Sequence, residues 1–414
     1  MKLNLRQQIT QFAQVMQAQL FPILENELGE LSPCATRLVS TLEMIPLARY
    51  IPASRGWMGR PSKDREAIAR AFIAKAVYGF SLTRQLLEAL ASDGQLRRIC
   101  GWREARQVPH ESTFSRAFAE FARMELPLFV HEALIRETQK DRLIGHIARD
   151  ATAIEARERM PEAGAQRTQR SASHRAKVKE ERKQARKQAR EAHPGIQQAR
   201  RKPGPRGPHP RYPGGKKLYQ TPPGTRLQRQ RSMSLSEMLE ELPTQCDISG
   251  KKNSQGHTQY WRGYKLHLDV ADGQIPISAV LTSASVHDSQ VAIPLATMTT
   301  QRVTYCYELM DAAYDALHIR QQSSSMGHVA IIDANQRGTQ QPPFQASAAP
   351  ELSPAEQQRY RERTMVERVN ARIKDDFGGR TIRVRGHAKV MTHLMFGILA
   401  LTVEQLLRFV EFRV

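Results

Sequence analysis

Residues 353–379 read SPAEQQRYRERTMVERVNARIKDDFGG, and the helix they spell is the element from which the rest of the chain can be ordered. Ser353 and Glu356 have the spacing of a capping box, Pro354 suits a first turn, and Gly378 with Gly379 supplies a stop, which bounds the helix near 354 and 377. Tyr360, Arg363, Glu367 and Lys374 fall at helical offsets that place all four side chains within an arc of roughly 60°. Met365, Val366, Val369, Ile373 and Phe377 make a separate apolar stripe about a third of a turn away. One stripe packs on a core, which leaves the other facing a cleft. Taken alone, Arg363 and Glu367 at i,i+4 are an ordinary solvated ion pair. The preceding elements give that face another meaning.

Upstream, the periodicity is that of strands. Residues 143–154 are strongly apolar, short enough for one strand, and carry Asp150 among them. A carboxylate in a buried-looking strand needs a cation, either a metal ion or an arginine such as Arg149 or Arg157. Residues 260–270 alternate like a half-buried strand, Asp272 and Gly273 form a hairpin turn, and 275–282 return. A helix over 288–298, a strand over 303–310 ending at Asp311, a helix over 314–322 and a short strand over 329–332 lead to the quoted helix. Residues 390–412 then form a long apolar terminal helix. This order predicts an α/β fold: a ribonuclease-H-like mixed-sheet catalytic core, with an all-helical N-terminal domain and a long basic insert. In such a sheet the first and fourth strands are neighbours, so Asp150 meets Asp311, and Ala312 and Ala313 leave room beside them.

The first 140 residues have helical periodicity. One helix covers 5–28, a second is capped by Ser62 and runs through Ile68, Phe72, Ile73 and Val77, and a third is capped by Ser81. A fourth over 111–123 buries Phe114, Phe118 and Phe121. Short capped helices of this kind suit a helix-turn-helix DNA-binding unit or a packing module. The expected division is a helical domain over 1–140, a catalytic core over 141–155 and 246–414, and a flexible insert over 156–245. Between 156 and 232 there are 22 Lys and Arg against five Asp and Glu, so this stretch carries +17 of the formal +21. Such a bias points to a polyanionic partner, with nucleic acid the usual one. The apolar stretch 394–401 is too short to span a bilayer, and no signal-peptide pattern opens the chain. Cys34, Cys100, Cys246 and Cys306 lack C-x-x-C spacing, which disfavours a disulfide framework or a zinc site. A cytoplasmic protein with no membrane partner is expected.

Asp150, Asp311 and Glu367 converging on one cleft would repel one another unless cations sat between them, and oxygen-only ligands suit Mg²⁺ or Mn²⁺. Two such ions serve in-line phosphoryl displacement by water or a 3′-hydroxyl. Arg363 and Lys374 suit phosphates, and Tyr360 suits a phosphate or a base face. His267, His287 and His387 are scattered and read as non-ligands. Asp288 and Asp315 read as helix caps, Trp261 as a core residue, and Glu155 as a surface acid.

Tyr360, Arg363, Glu367 and Lys374 together match the Y-R-E-K spacing, and the chain resembles the bacterial insertion-sequence DDE transposases. Gly263-Tyr264-Lys265-Leu266-His267, Ser285-Val286-His287-Asp288-Ser289, Asp311-Ala312-Ala313-Tyr314-Asp315 and the N-terminal Gly59-Arg60-Pro61 are similar to the same group. The resemblance implies that Asp150, Asp311 and Glu367 hold the metals, with Tyr360, Arg363 and Lys374 contacting DNA. It further implies cleavage at terminal inverted repeats, strand transfer to target DNA, a homodimer or larger assembly on DNA, and a bacterial, nucleoid-associated setting. The long insert lies between the first two carboxylates here, so Asp247 and Asp269 compete with Asp150. Asp-Ala-Thr on an apolar strand favours Asp150. A nuclease that cuts without joining, and a catalytically silent DNA-binding protein, are the alternatives.

Overall fold

The computed structural model describes residues 5–51, 64–140, 142–158, 225–252, 257–333 and 352–411. Most of the basic insert, and Gly59, Arg60, Pro61 and Ser62, lie outside them. The helical part comprises Leu5–Val15 (α1), Phe21–Leu28 (α2), Pro33–Met44 (α3), Arg65–Val77 (α4), Thr83–Ser92 (α5), Gly94–Cys100 (α6), Glu111–Arg123 (α7) and Leu126–Gln139 (α8). The helix expected over 5–28 is wound as a π-helix at Met16–Leu20, between α1 and α2. Asp64, rather than Ser62, caps α4, its carboxylate accepting from the backbone N–H of Glu66 and Ala67. A carboxylate there both fills orphan donors and meets the positive end of the helix dipole. Ser81 does not cap α5, which starts after Leu82 with the Gln85 side chain accepting from the Leu82 N–H. The Ser81 carbonyl instead accepts from the buried Lys75 ammonium at 3.1 Å.

The sheet is built on Leu143–Glu155 (β1). After Arg226–Gln230 (α9) and Leu235–Glu240 (α10) come Asp247–Lys252 (β2), Thr258–Ala271 (β3) and Ile275–Ser283 (β4). Ser289–Thr300 (α11), Thr304–Met310 (β5), Leu317–Ser325 (α12) and Val329–Ile332 (β6) follow. Strands β2, β3, β1, β5 and β6 lie in that order, and β4 pairs with β3. β1 runs antiparallel to β3 and parallel to β5, as the ribonuclease-H-like order requires. β3 is long enough to pair with β2 through residues 258–263 and with β4 through 264–271. Gly263 sits where these pairings meet, at φ +151°, and a Cβ there would lie 2.1 Å from the Ile154 carbonyl. Only glycine lets β3 approach β1 at that point.

Two departures from the sequence reading concern the end of the insert. β2 has almost no apolar alternation, and α9 and α10 are short and polar, so periodicity did not reveal them. Met238 and Leu242 are nevertheless buried, and Leu242 clusters with Val291, Leu295 and Met298. The stretch that cannot contribute to a core therefore ends before α9, not at 245.

The chain closes with Pro354–Tyr360 (α13), a 3₁₀ turn at Arg361–Arg363, Thr364–Asp375 (α14) and His387–Glu411 (α15). α15 is long and apolar enough to cross a membrane, yet most of it is buried within the protein. Phe396 on α15 stacks on Phe72 of α4 at 5.7 Å, with Phe118 of α7 alongside. The buried His131 of α8 bonds to Pro276 O of β4 and to Thr402 Oγ1 of α15. Helices α1 and α3–α8 thus share one core with the sheet, and residues 1–158 and 226–414 form a single compact unit.

Candidate active site

The helix quoted at the outset is present with a refinement. Its capping box is formed, Ser353 N–H donating to Glu356 Oε2 at 2.8 Å and Glu356 N–H to Ser353 Oγ at 3.3 Å. Gly378, at φ +79°, turns the chain after α14. The 3₁₀ turn tightens the winding at 361–363, and α14 ends at Asp375 rather than 377. Met365, Val366, Val369, Ile373 and Phe377 are all buried, as the apolar stripe predicts. On the other stripe the Arg363 guanidinium lies 5.6 Å from the Tyr360 ring and donates to Glu367 Oε1 at 2.8 Å.

β1 and β5 bring two of the three carboxylates together. Their last paired residues are Arg149 and Met310, so Asp150 and Asp311 occupy the next position on each strand. Parallel neighbours lie roughly 4.8 Å apart with side chains on the same face. Burial pushes the Asp150 carboxyl up to about 6, with the Asp311 charge adding to the shift. Burial raises Asp311 also, with Asp288 contributing. Asp311 Oδ1 accepts from the Ala313 N–H at 3.0 Å, which fixes the carboxylate over the turn that follows β5.

Glu367 does not complete this pair. Among the described residues no three His, Cys, Asp or Glu side chains stand close enough to hold a metal ion. Glu367 is half exposed and drawn to Arg363, a nearby opposite charge in wet surroundings. The side chain that reaches Asp150 from α14 is Asn370, whose Nδ2 donates to Asp150 Oδ2 at 3.2 Å. Asn370 Oδ1 is buried with no hydrogen-bond partner. Glu367 is one turn back from Asn370, with Cβ atoms about 5–6 Å apart in a helix, so a rotamer change would carry its carboxylate toward Asp150. The donor set fits a hard divalent cation: two adjacent carboxylates with raised pKa values, an orphaned amide oxygen, and a third carboxylate nearby.

The arginine suggested as a partner for Asp150 points the other way. Arg149, buried, donates to both oxygens of Asp269 at 2.8 Å and to Glu308 Oε2 at 3.2 Å, on the opposite face of the sheet. Thr299 of α11 also donates to Asp269, and Tyr305 and Ser323 to Glu308. Burial alone would raise Glu308, but the Arg149 charge and these hydrogen bonds hold it at about 2. Asp269 is thereby committed to Arg149, while Asp150 lies beside Asp311 on the other face. Asp247 opens β2 and pairs across from Gly263.

Other residues settle around this centre. Lys251 and Arg363 act on both Asp150 and Asp311 as nearby positive charges. Lys374 lies close enough to Asp150 to feel its charge, but burial lowers its pKa, with Arg380 and Lys251 adding to the effect. Asp288 makes no cap hydrogen bond and pairs with Lys265 at 2.7 Å. Asp315 pairs with Arg320 at 3.0 Å. His267 bonds to Thr282, His287 to Ser289, and His387 to Leu281 O. Asn370, Lys251 and the Arg149 network were missed by sequence reasoning. Only Asn370 left a signal, as a polar residue within the otherwise apolar stripe of Val366, Val369, Ile373 and Phe377.

Residues 239–403 match a family model described as "Transposase DDE domain", and residues 27–120 match one described as "Transposase domain (DUF772)". The first match contains Asp311 and Glu367 and begins after β1, so Asp150 lies outside it. No curated protein and no solved structure matches the chain. With a DDE domain following a second transposase domain, on a ribonuclease-H-like sheet, the chain belongs to the insertion-sequence DDE transposases.

Proposed function

We propose that the protein cleaves DNA at the terminal inverted repeats of its element and joins the freed 3′-hydroxyl to target DNA. The observation that carries this reading is the position of Asp150, within β1, beside Asp311, just after β5, with α14 bonded to Asp150 through Asn370. Asp150 and Asp311 would hold Mg²⁺ or Mn²⁺, as two ions, and Glu367 would complete the site. The bound ions supply Lewis acidity, lowering the pKa of the attacking hydroxyl and stabilising charge on the leaving oxygen.

The chain's own residues account for the rest. Arg363 is held by Glu367 in the absence of DNA, and a backbone phosphate is a competing anion for it. Capture of Arg363 by phosphate frees Glu367 to turn toward Asp150. Tyr360, beside Arg363, offers a hydroxyl or a ring face to the same strand, and Lys374 and Lys251 add positive charge along the cleft. Helices α1–α8 and the basic insert would supply further DNA contacts. Two ends processed together call for a dimer or larger assembly on DNA, in the cytoplasm beside the nucleoid.

The test is incubation of the full chain with Mg²⁺, linear DNA ending in the repeats that flank its gene, and a target plasmid. Joined product supports the reading. Nicking without joining supports a nuclease, and binding alone a silent DNA-binding protein.

A further inference from the structure

Beyond the catalytic carboxylates, at the far end of β1, lies an open groove of about 610 Å³. β1 advances roughly 3.3 Å per residue, which puts Glu155 at the groove about 16 Å from Asp150. The wall is made by β2, the first half of β3, and the 380–383 segment, which the Ala156–Ile382 bridge ties to the end of β1. Arg157, Arg262 and Arg383 line it, exposed, with no carboxylate partner among the described residues. Among the described residues Glu155 is the one acid on its lining.

Two aromatic residues stand between these guanidiniums. Tyr260 is 75% exposed, unusual for a large ring on a paired strand. It lies opposite Gly250 in the β2–β3 register, and a Cβ at Gly250 would sit only 2.9 Å from the Tyr260 ring. The ring therefore rests on glycine backbone, held in place, with its other face open. The Trp261 indole N–H donates to Tyr264 O at 3.2 Å, which fixes a second ring at the wall. Lys251, adjacent to Gly250 on β2, acts electrostatically on Asp150 and Asp311, so β2 borders the groove and also sends a positive charge toward the carboxylates.

Cations alone would serve a duplex backbone. A seated, open ring among unpaired guanidiniums serves a base whose face is free, which a paired base within a duplex does not offer. We propose that this groove seats an unpaired stretch of DNA strand next to the cleavage point. One base stacks on Tyr260, and Arg157, Arg262 and Arg383 hold the phosphates. The proposal rests on the DNA-cleavage reading and adds a strand contact separate from Tyr360, Arg363 and Lys374.

The test is fluorescence anisotropy of the full chain in EDTA with two labelled DNAs: a blunt duplex carrying the gene-flanking repeat, and the same duplex ending in an unpaired flap of about five nucleotides. The wild type binds the flap duplex more tightly. Tyr260→Ala loses at least about fivefold on the flap duplex and stays within about twofold on the blunt one, whereas Tyr260→Phe keeps the preference. Arg262→Gln combined with Arg383→Gln lowers the salt dependence of flap binding by about two phosphate contacts. Equal wild-type affinity for the two DNAs, or flap binding unchanged in Tyr260→Ala, overturns the groove assignment and leaves the transposase reading standing. Wild-type failure to bind either DNA overturns both.

Discussion

Asn370 donates a hydrogen bond to Asp150 across 220 residues of chain, joining α14 to the central strand at the carboxylate that the sheet places beside Asp311. The helix chosen for Glu367 thus reaches the site first through an amide. That bond orients Asp150, and Asn370 keeps a buried oxygen unpaired toward the same place.

Removing the amide should therefore disturb chemistry rather than DNA affinity. Asn370→Ala is expected to lower metal-dependent cleavage by about 10- to 100-fold, the usual effect of losing a side chain that orients a metal ligand. Its affinity for repeat DNA in EDTA should match the wild type, as measured by anisotropy. Full cleavage by the variant would show that Asp150 needs no such support.

The Arg363–Glu367 pair makes an opposite-sign prediction for two ligands. Arg363→Gln should weaken repeat-DNA binding, because a phosphate ligand is lost. It should also raise Mn²⁺ affinity in the absence of DNA, because Glu367 is no longer held at 2.8 Å by a guanidinium. Calorimetric titration with Mn²⁺ checks the second effect, and an unchanged or weaker affinity would remove the latch from the account.

On the other face of the sheet, Arg149 pairs with both Asp269 and Glu308 and ties β1 to β3 and β5. Arg149→Met would strand two buried carboxylates. The expected loss is about 3–5 kcal/mol of unfolding free energy, read from urea denaturation. A loss below about 1 kcal/mol would mean that the network contributes little.

A pH dependence follows from Lys75 on α4. Burial pushes its ammonium down to about 8 from 10.5. Between those values the unfolded chain binds the extra proton, so this group makes stability rise with pH through that window. Lys75→Met should be more stable than the wild type at pH 7, by up to about 3 kcal/mol less the loss of the Ser81 hydrogen bond. The gap should close as pH approaches 10.5, which urea melts across the range would reveal. A gap that stays constant with pH would mean that Lys75 does not titrate in this way.

Local and periodic features were legible in the sequence. The capping box at Ser353, the apolar stripe of α14, the hairpin at Asp272 and the strand ending at Asp311 all follow from spacing and turn chemistry. The pairing of Asp150 with Asp311 followed from element order alone. What escaped was set by tertiary contact. β2 is a polar edge strand and carries no alternation. The cap of α4 is Asp64. The direction of Arg149 depends on which face of β1 it occupies, and the sequence offered it only as a partner for Asp150. Helices α1–α8 read as a separate domain because nothing in their own pattern shows that Phe72 and Phe118 close on Phe396.

The central claim is that Asp311 and Glu367 serve one metal-dependent strand-transfer site, although they do not touch in the DNA-free protein. The most direct measurement is joined product formed in Mg²⁺ by the wild type, Asp311→Asn and Glu367→Gln, with repeat-DNA binding measured alongside. Loss of joining by at least about a hundredfold in both variants, with DNA binding retained, is the predicted result. Full strand transfer by Glu367→Gln would contradict it.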